Sequence, residues 1–403
     1  MSALRATSGG SSDQVVYFDN NATTPVAPQV LEEMLPYLSQ LYGNPSSMHL
    51  FGGQVADRVE EARSRLAALL GAQPEEVVFT SCGTESDNAA IRSALDRNPG
   101  RRHIVTTRVE HPAVLSLCRR LEEERFRVTY LPVDAEGLLD LNQVDEAITD
   151  ETAVVSVMWA NNETGVLFPV EEIALMARER GAFFHTDAVQ VIGKLPCDLA
   201  QSHIDLLALS GHKLHAPKGV GALYIRRGTP FTPFVIGGHQ EHGLRGGTEN
   251  VASIIALGKA AELAAANMAE EQTRVKALRD RLEEGIIRDA PGAARNGSGE
   301  QRLPNTSSTS FEYIEGEAIL LHLSDLGVCA SSGSACTSGS LEPSHVLRAM
   351  GVPYTRVHGS LRLSLSRYNT DEEVDYVLAH LPPIVRKLRE LSPVGREELA
   401  GHA

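Results

Sequence analysis

The chain is poor in the residues that usually betray a compartment or a partner. Five of its 403 residues are cysteine: Cys82, Cys118, Cys197, Cys329 and Cys336. The number is odd, none forms a CxxC pair and none has zinc spacing. That argues against a disulfide framework and points to a reducing cytoplasm. Positive charge is also short. Lys and Arg number 37 against 52 Asp and Glu, a net charge of −15, which speaks against nucleic acid or an anionic membrane as the main partner. No apolar run approaches the ~20 residues that cross a bilayer. No G-x-G-x-x-G or Walker loop follows a strand, which disfavours a nucleotide-dependent α/β enzyme. Residues Met1 to Gln14 are rich in Ser and Gly and lack an apolar stretch. They read as a disordered tail and not as a secretory signal.

What is present is the ordinary composition of an α/β protein, 42% hydrophobic and 22% charged. From Val15 to about Leu257, strand-like runs alternate with amphipathic helical patterns. Strands are expected at 76–80, 103–106 and 153–158, and helices at 54–70 and 171–180. This alternation predicts a largely parallel sheet with helices on both faces. The runs 206–209 and 221–225 are close enough for a hairpin, which would make the sheet mixed. Beyond Gly258 the texture changes. A long charged, Ala-rich helical pattern (259–288) precedes a strand at 306–311, a helix at 316–326, a Ser/Gly run, a short helix at 343–350 and a strand at 360–366. The last helix opens on Thr370-Asp371-Glu372-Glu373, a capping box, and Pro382-Pro383 is expected to interrupt or kink it. Two domains follow, 15–258 and a smaller α+β unit at 259–403, with the N-terminal segment packing on the second.

Three residues carry the chemistry. Lys213 follows the apolar run 204–209, where a strand empties into a loop and a partly desolvated amine can serve as a Schiff-base nucleophile. Asp187 ends another strand-like run, where a carboxylate can keep a pyridinium nitrogen protonated. Cys336 lies within 331–340, a Ser/Gly-rich run too small and polar for core. Together they suggest pyridoxal-phosphate chemistry delivered to sulfur. Other positions admit two readings. The turn 81–86 suits a phosphate at a helix N-terminus or an ordinary cap. His111 is a structural histidine or a ring-stacking acid–base. Asn162 and Gln190 are ligand groups at strand ends or turn hydrogen bonders. The glycines around Arg245 suit a phosphate, an oligomer edge or a plain connection. Arg362, between apolar residues, pairs with a substrate carboxylate or with a structural acid.

These motifs resemble one family closely. The matching stretches include Tyr17-Phe18-Asp19-Asn20-Asn21-Ala22-Thr23-Thr24, Gly43-Asn44-Pro45-Ser46-Ser47, Val109-Glu110-His111-Pro112-Ala113 and Gly211-His212-Lys213-Leu214-His215-Ala216-Pro217-Lys218-Gly219. To these are added 80–87, 158–165, 185–190, 331–343 and 364–368. The chain resembles pyridoxal-phosphate-dependent cysteine desulfurases of the nitrogen-fixation (NifS) type, in the class V aminotransferase group, from about Val15 to Pro393. The run 331–338 is similar to the long-loop subgroup. The resemblance implies the fold type I architecture of pyridoxal-phosphate-dependent transferases, with a seven-stranded-type sheet, and a homodimer. It implies that Lys213 forms the Schiff base, Asp187 pairs with the pyridine nitrogen, Gln190 with Asn162 beside it meets the phenolic oxygen, and His111 stacks on the ring and moves protons. Gly83, Thr84, Ser210 and His212 would hold the phosphate, joined by Thr248 from the other subunit. Arg362 would bind the substrate carboxylate, with Asn21 and Asn44 nearby. Cys336 would accept sulfur from L-cysteine, serve as a transient iron–sulfur ligand and pass sulfur to an iron–sulfur scaffold protein. The implied product is L-alanine and the implied role is nitrogenase maturation. A selenocysteine lyase, another enzyme on the same fold, or a non-catalytic sulfur-relay protein are the alternatives.

Overall fold

The computed structural model describes residues 15–332 and 342–392. Seven strands form the main sheet: β2 (Val77–Thr80), β3 (His103–Thr107), β4 (Arg127–Leu131), β5 (Thr152–Ser156), β6 (Phe183–Asp187), β7 (Leu206–Ser210) and β8 (Gly221–Ile225), after a short β1 (Val16–Tyr17) that lies elsewhere. Their order is β2-β8-β7-β6-β5-β3-β4. From β7 to β4 every pairing is parallel, while β8 runs antiparallel to both β7 and β2. The sheet is therefore mixed, with one reversed strand, and its other six strands all end at one edge.

Successive side chains of a strand face opposite ways. Val105, Val155 and Leu207 accordingly enter one core, with helices Leu50–Leu70 and Val251–Glu270. Their neighbours Ile104, Val154 and Leu206 enter another, with helices Gly83–Arg97 and Pro112–Glu123. Both faces are covered, so β5 is buried along its whole length. That is why these strands read as continuous apolar runs.

A second, smaller unit holds the antiparallel sheet of β9 (Ala293–Arg295), β10 (Thr306–Phe311) and β12 (Ser360–Ser364) and its own core. The strand β11 (Val328–Cys329) pairs in parallel with β1, and Val16 and Phe18 pack into this second core. One continuous helical stretch, Val251–Asp289, joins the units through a π-turn at Glu271–Val275. The expected division near Gly258 falls inside it, where a Cβ would come within 2.6 Å of Ala62. The apolar core itself changes over between Ala264 and Val275. By length and composition alone this stretch could cross a membrane, yet from Ala252 to Ala264 much of it is buried in the first core.

The interruption expected at Pro382-Pro383 does not occur. Helix Asp371–Leu391 runs through both prolines, opened by the capping box of Thr370 and Glu373. Leu381, Pro382 and Val385 are buried against the second core. This packing holds the helix across the N–H groups that proline lacks.

Candidate active site

The shared edge of the six co-directional strands is where an open α/β sheet holds ligands. A cavity of about 270 Å³ lies there. Each strand end supplies a part of it. Beyond β2, helix Gly83–Arg97 begins without a side-chain cap, and its first residues, Gly83 and Thr84, line the cavity. Gly83 is required there, because a Cβ would stand 2.8 Å from Val189. Beyond β3, His111 caps the next helix by accepting at Nδ1 from the Ala113 N–H (3.1 Å). In the neutral ring the proton then sits on Nε2, and burial holds the pKa of this histidine below its usual value. Beyond β5 comes Asn162. Asp187 closes β6 and Ser210 closes β7, and a short 3₁₀ turn, Gly211–Lys213, then carries His212 and Lys213 into the cavity.

Lys213 Nζ donates to the carbonyls of Asn21 and of Ala22, the latter at 2.7 Å. Burial raises the pKa of Asp187, opposed by the charges of His111 and Lys213, and Oδ1 accepts from the Val189 N–H (2.9 Å). Gln190 donates through Nε2 to Asn21 O (3.0 Å), while its buried Oε1 has no partner among the described residues. His212 bonds Thr23 Oγ1 at 3.1 Å, and burial lowers its pKa to about 4. From the smaller unit, β12 brings Arg362. Its Nη2 donates to Asp19 (2.9 Å) and its Nη1 to Asn162 O (3.0 Å), while Nε has no partner among the described residues.

These parts fit a phosphorylated pyridine aldehyde. An uncapped helix N-terminus with Thr84, Ser210 and His212 would take the phosphate. A buried carboxylate would take a protonated ring nitrogen, the orphaned Gln190 Oε1 would take a hydroxyl, and an amine stands where the aldehyde would lie.

The cavity gathers Asn21, Gly83, Thr84, His111, Asn162, Asp187, Gln190, Ser210, His212, Lys213 and Arg362. It does not include Asn44 or Thr248, both exposed elsewhere on the chain. Cys336 lies outside the described residues. Asp87 was not foreseen. It lines the cavity, fully buried, 3.4 Å from His185 Nε2, and burial raises its pKa well above the usual carboxylate value. His185 bonds Ser156 at Nδ1 (2.9 Å), and burial pushes its pKa down to about 3, so it is neutral. The signal was present in the spacing: Asp87 stands four residues after Gly83 and shares its helix face.

A pyridoxal-phosphate site at the strand ends of a mixed α/β sheet defines the class. Residues 16–377 match the family described as aminotransferase class-V, and the chain belongs to that family and to its cysteine desulfurases. It is 59% identical over 397 residues to cysteine desulfurase 2 of Trichormus variabilis, covering 96% of this chain and all of that one. It is 59% identical over 379 residues to cysteine desulfurase NifS of Azotobacter vinelandii, 94% of each. A solved NifS-like protein superposes with a TM-score of 0.88 at 40% identity, covering 93% of this chain and all of that one. SspA in complex with cysteine gives 0.78 at 39%, covering 88% and 99%.

Proposed function

We propose that this pyridoxal-phosphate enzyme converts L-cysteine to L-alanine and leaves the sulfur as a persulfide on Cys336. One observation carries the reading: the Lys213 amine, the Asp187 carboxylate and the Arg362 guanidinium, from two sheets, open into one cavity. The bound cofactor supplies an electron sink for the pair left at Cα. The remaining work falls to the chain. Arg362, whose Nε has no partner among the described residues, binds the substrate carboxylate beside Asn21 and Asn162. Lys213 Nζ takes the Cα proton. His111 Nε2 moves protons at the edge of the site. The Cys336 thiolate attacks the substrate sulfur, the carbon–sulfur bond breaks, and the carbon takes up a proton. Cysteine plus thiol gives alanine plus persulfide, with no outside oxidant.

The test is mass spectrometry of the whole protein after brief exposure to cysteine. One added sulfur on the Cys336 peptide, with alanine in solution, is expected. Sulfur first on Cys329 or Cys82 would overturn the assignment.

We further infer a homodimer. Leu38, Tyr42, Met48 and Leu50 are exposed near Asn44, and so are Phe234 and Ile236. The backbone of that second stretch meets the Thr248 loop, where Gly246 N donates to Val235 O (2.8 Å). Exposed apolar side chains grouped along two short stretches of chain support an interaction surface there. Thr248, outside its own cavity, reaches the partner's phosphate. Mixing inactive Lys213→Ala chains with Thr248→Ala chains should then restore part of the activity in hybrids. Full cofactor affinity in a sedimenting monomer would contradict the shared site. Delivery of sulfur to an iron–sulfur scaffold protein for nitrogenase maturation, in the cytoplasm, is the finer reading that the NifS resemblance supports.

A further inference from the structure

The two roots of the Cys336 segment are held differently. On the N-terminal side, Val328 and Ala330 pack with the second core. On the C-terminal side, Val346, Leu347 and Met350 pack into the first, under the cofactor sheet. At that second root stands Ser344, buried, eight residues after Cys336. Its hydroxyl oxygen accepts from the N–H groups of Val346 (3.1 Å) and Leu347 (3.3 Å), capping helix His345–Ala349. Its hydroxyl proton goes to the carboxylate of Glu163, itself 4% exposed. The next residue, His345, bonds the carbonyl of Glu110 through Nε2 (3.0 Å).

Both acceptors adjoin cavity residues: Glu163 follows Asn162, and Glu110 precedes His111. The turn that holds Glu163 is itself fixed, since Asn161 Oδ1 accepts from the N–H groups of Glu163 (2.9 Å) and Thr164 (3.0 Å). A buried carboxylate is costly to maintain unless it is partnered, and Glu163 has the Ser344 hydroxyl and the charge of Arg362. Burial pushes the Glu163 carboxyl up to about 7, opposed by the Ser344 bond and by the charge of Arg362. Near neutrality much of it is therefore ionised and the bond is charge-assisted.

We propose that Glu163 and Ser344 are positioning residues for the sulfur-transfer step: their bond ties the root of the Cys336 segment to the strand end that carries Asn162. The proposal rests on Cys336 being the acceptor, as argued above. It separates two stages of the reaction. Binding of cysteine and removal of its Cα proton use Arg362 and Lys213; neither hydrogen-bonds Glu163 or Ser344, and Arg362 reaches Glu163 only through its charge. Attack by the thiolate needs the segment held in register with the cavity.

Glu163→Ala removes the acceptor and leaves Ser344 free to cap its helix. In the holoenzyme, the cofactor's visible band and its change on adding cysteine should match wild type. The single-turnover rate of sulfur gain on Cys336 should fall about tenfold or more, the scale on which misplaced reactants lose rate. Glu163→Gln keeps an accepting oxygen and should recover most of the rate. Ser344→Ala should repeat the defect, which guards against a variant of Glu163 that does not fold. Sulfur gain at the wild-type rate in both Glu163→Ala and Ser344→Ala would overturn the proposal. So would loss of the cysteine-dependent band change, which would make Glu163 a support of the cavity itself. No sulfur on wild-type Cys336 would instead overturn the reading beneath it.

Discussion

Lys213→Ala is expected to lose cysteine turnover by about 10³-fold or more, the scale on which a general base that also binds covalently acts. The visible band of the covalently held cofactor should vanish with it. The reason is positional. The 3₁₀ turn after β7 delivers this amine between the Asp187 carboxylate and the carbonyls of Asn21 and Ala22. Lys194 cannot replace it. Its ammonium is buried and bonded to Gln190 O at 2.8 Å, and it lines only a small cavity of about 20 Å³ that Lys213 also borders, not the active cavity. Lys218 is a lining residue of an open pocket near Tyr17 and Glu373, not of the active cavity. Borohydride treatment of the wild-type holoenzyme should therefore fix the cofactor to the Lys213 peptide. Label on Lys194 or Lys218, or an unchanged band in Lys213→Ala, would refute the assignment.

The parts of the site that follow from chain direction were legible in the sequence. Asp187 and Ser210 end apolar runs, and His111 and Asn162 follow them, so a parallel sheet had to bring them to one edge. The reversed strand β8 was legible too, because only ten residues separate it from β7. Other features depend on packing that no local pattern encodes. Asp87 looks like a helix-surface acid until the sheet closes over it and His185 meets it. Arg362 reads equally well as a structural ion pair. In the fold it is bonded to Asp19 and also lines the cavity. The two prolines of the last helix broke the local rule and were overruled by burial. The Glu163–Ser344 bond joins residues 181 apart in sequence, which spacing cannot reveal.

Cys336→Ser should leave the fold, the colour and the cysteine-dependent band change nearly intact, because the Lys213 amine, the Asp187 carboxylate and the other groups that would hold the cofactor come from the strand ends of the main sheet. Persulfide formation and sustained alanine release should drop to background, about 10³-fold or more, as when an enzyme loses its nucleophile. A serine oxygen does not take up the substrate sulfur as a thiolate does. The other cysteines are poor substitutes for physical reasons. Burial pushes the thiols of Cys118 and Cys197 up to about 12, so neither supplies thiolate near neutrality. Cys329 is half-buried in β11 with its pKa raised by the same cause, and it pairs with Tyr17 in the sheet. Cys82 is the informative control, since it lines the cavity. It immediately precedes the helix N-terminus that would hold the phosphate. Cys82→Ala should thus keep most of the sulfur transfer. Sustained desulfuration by Cys336→Ser, with sulfur mapped to Cys82 or Cys329, would show that a different thiol is the acceptor.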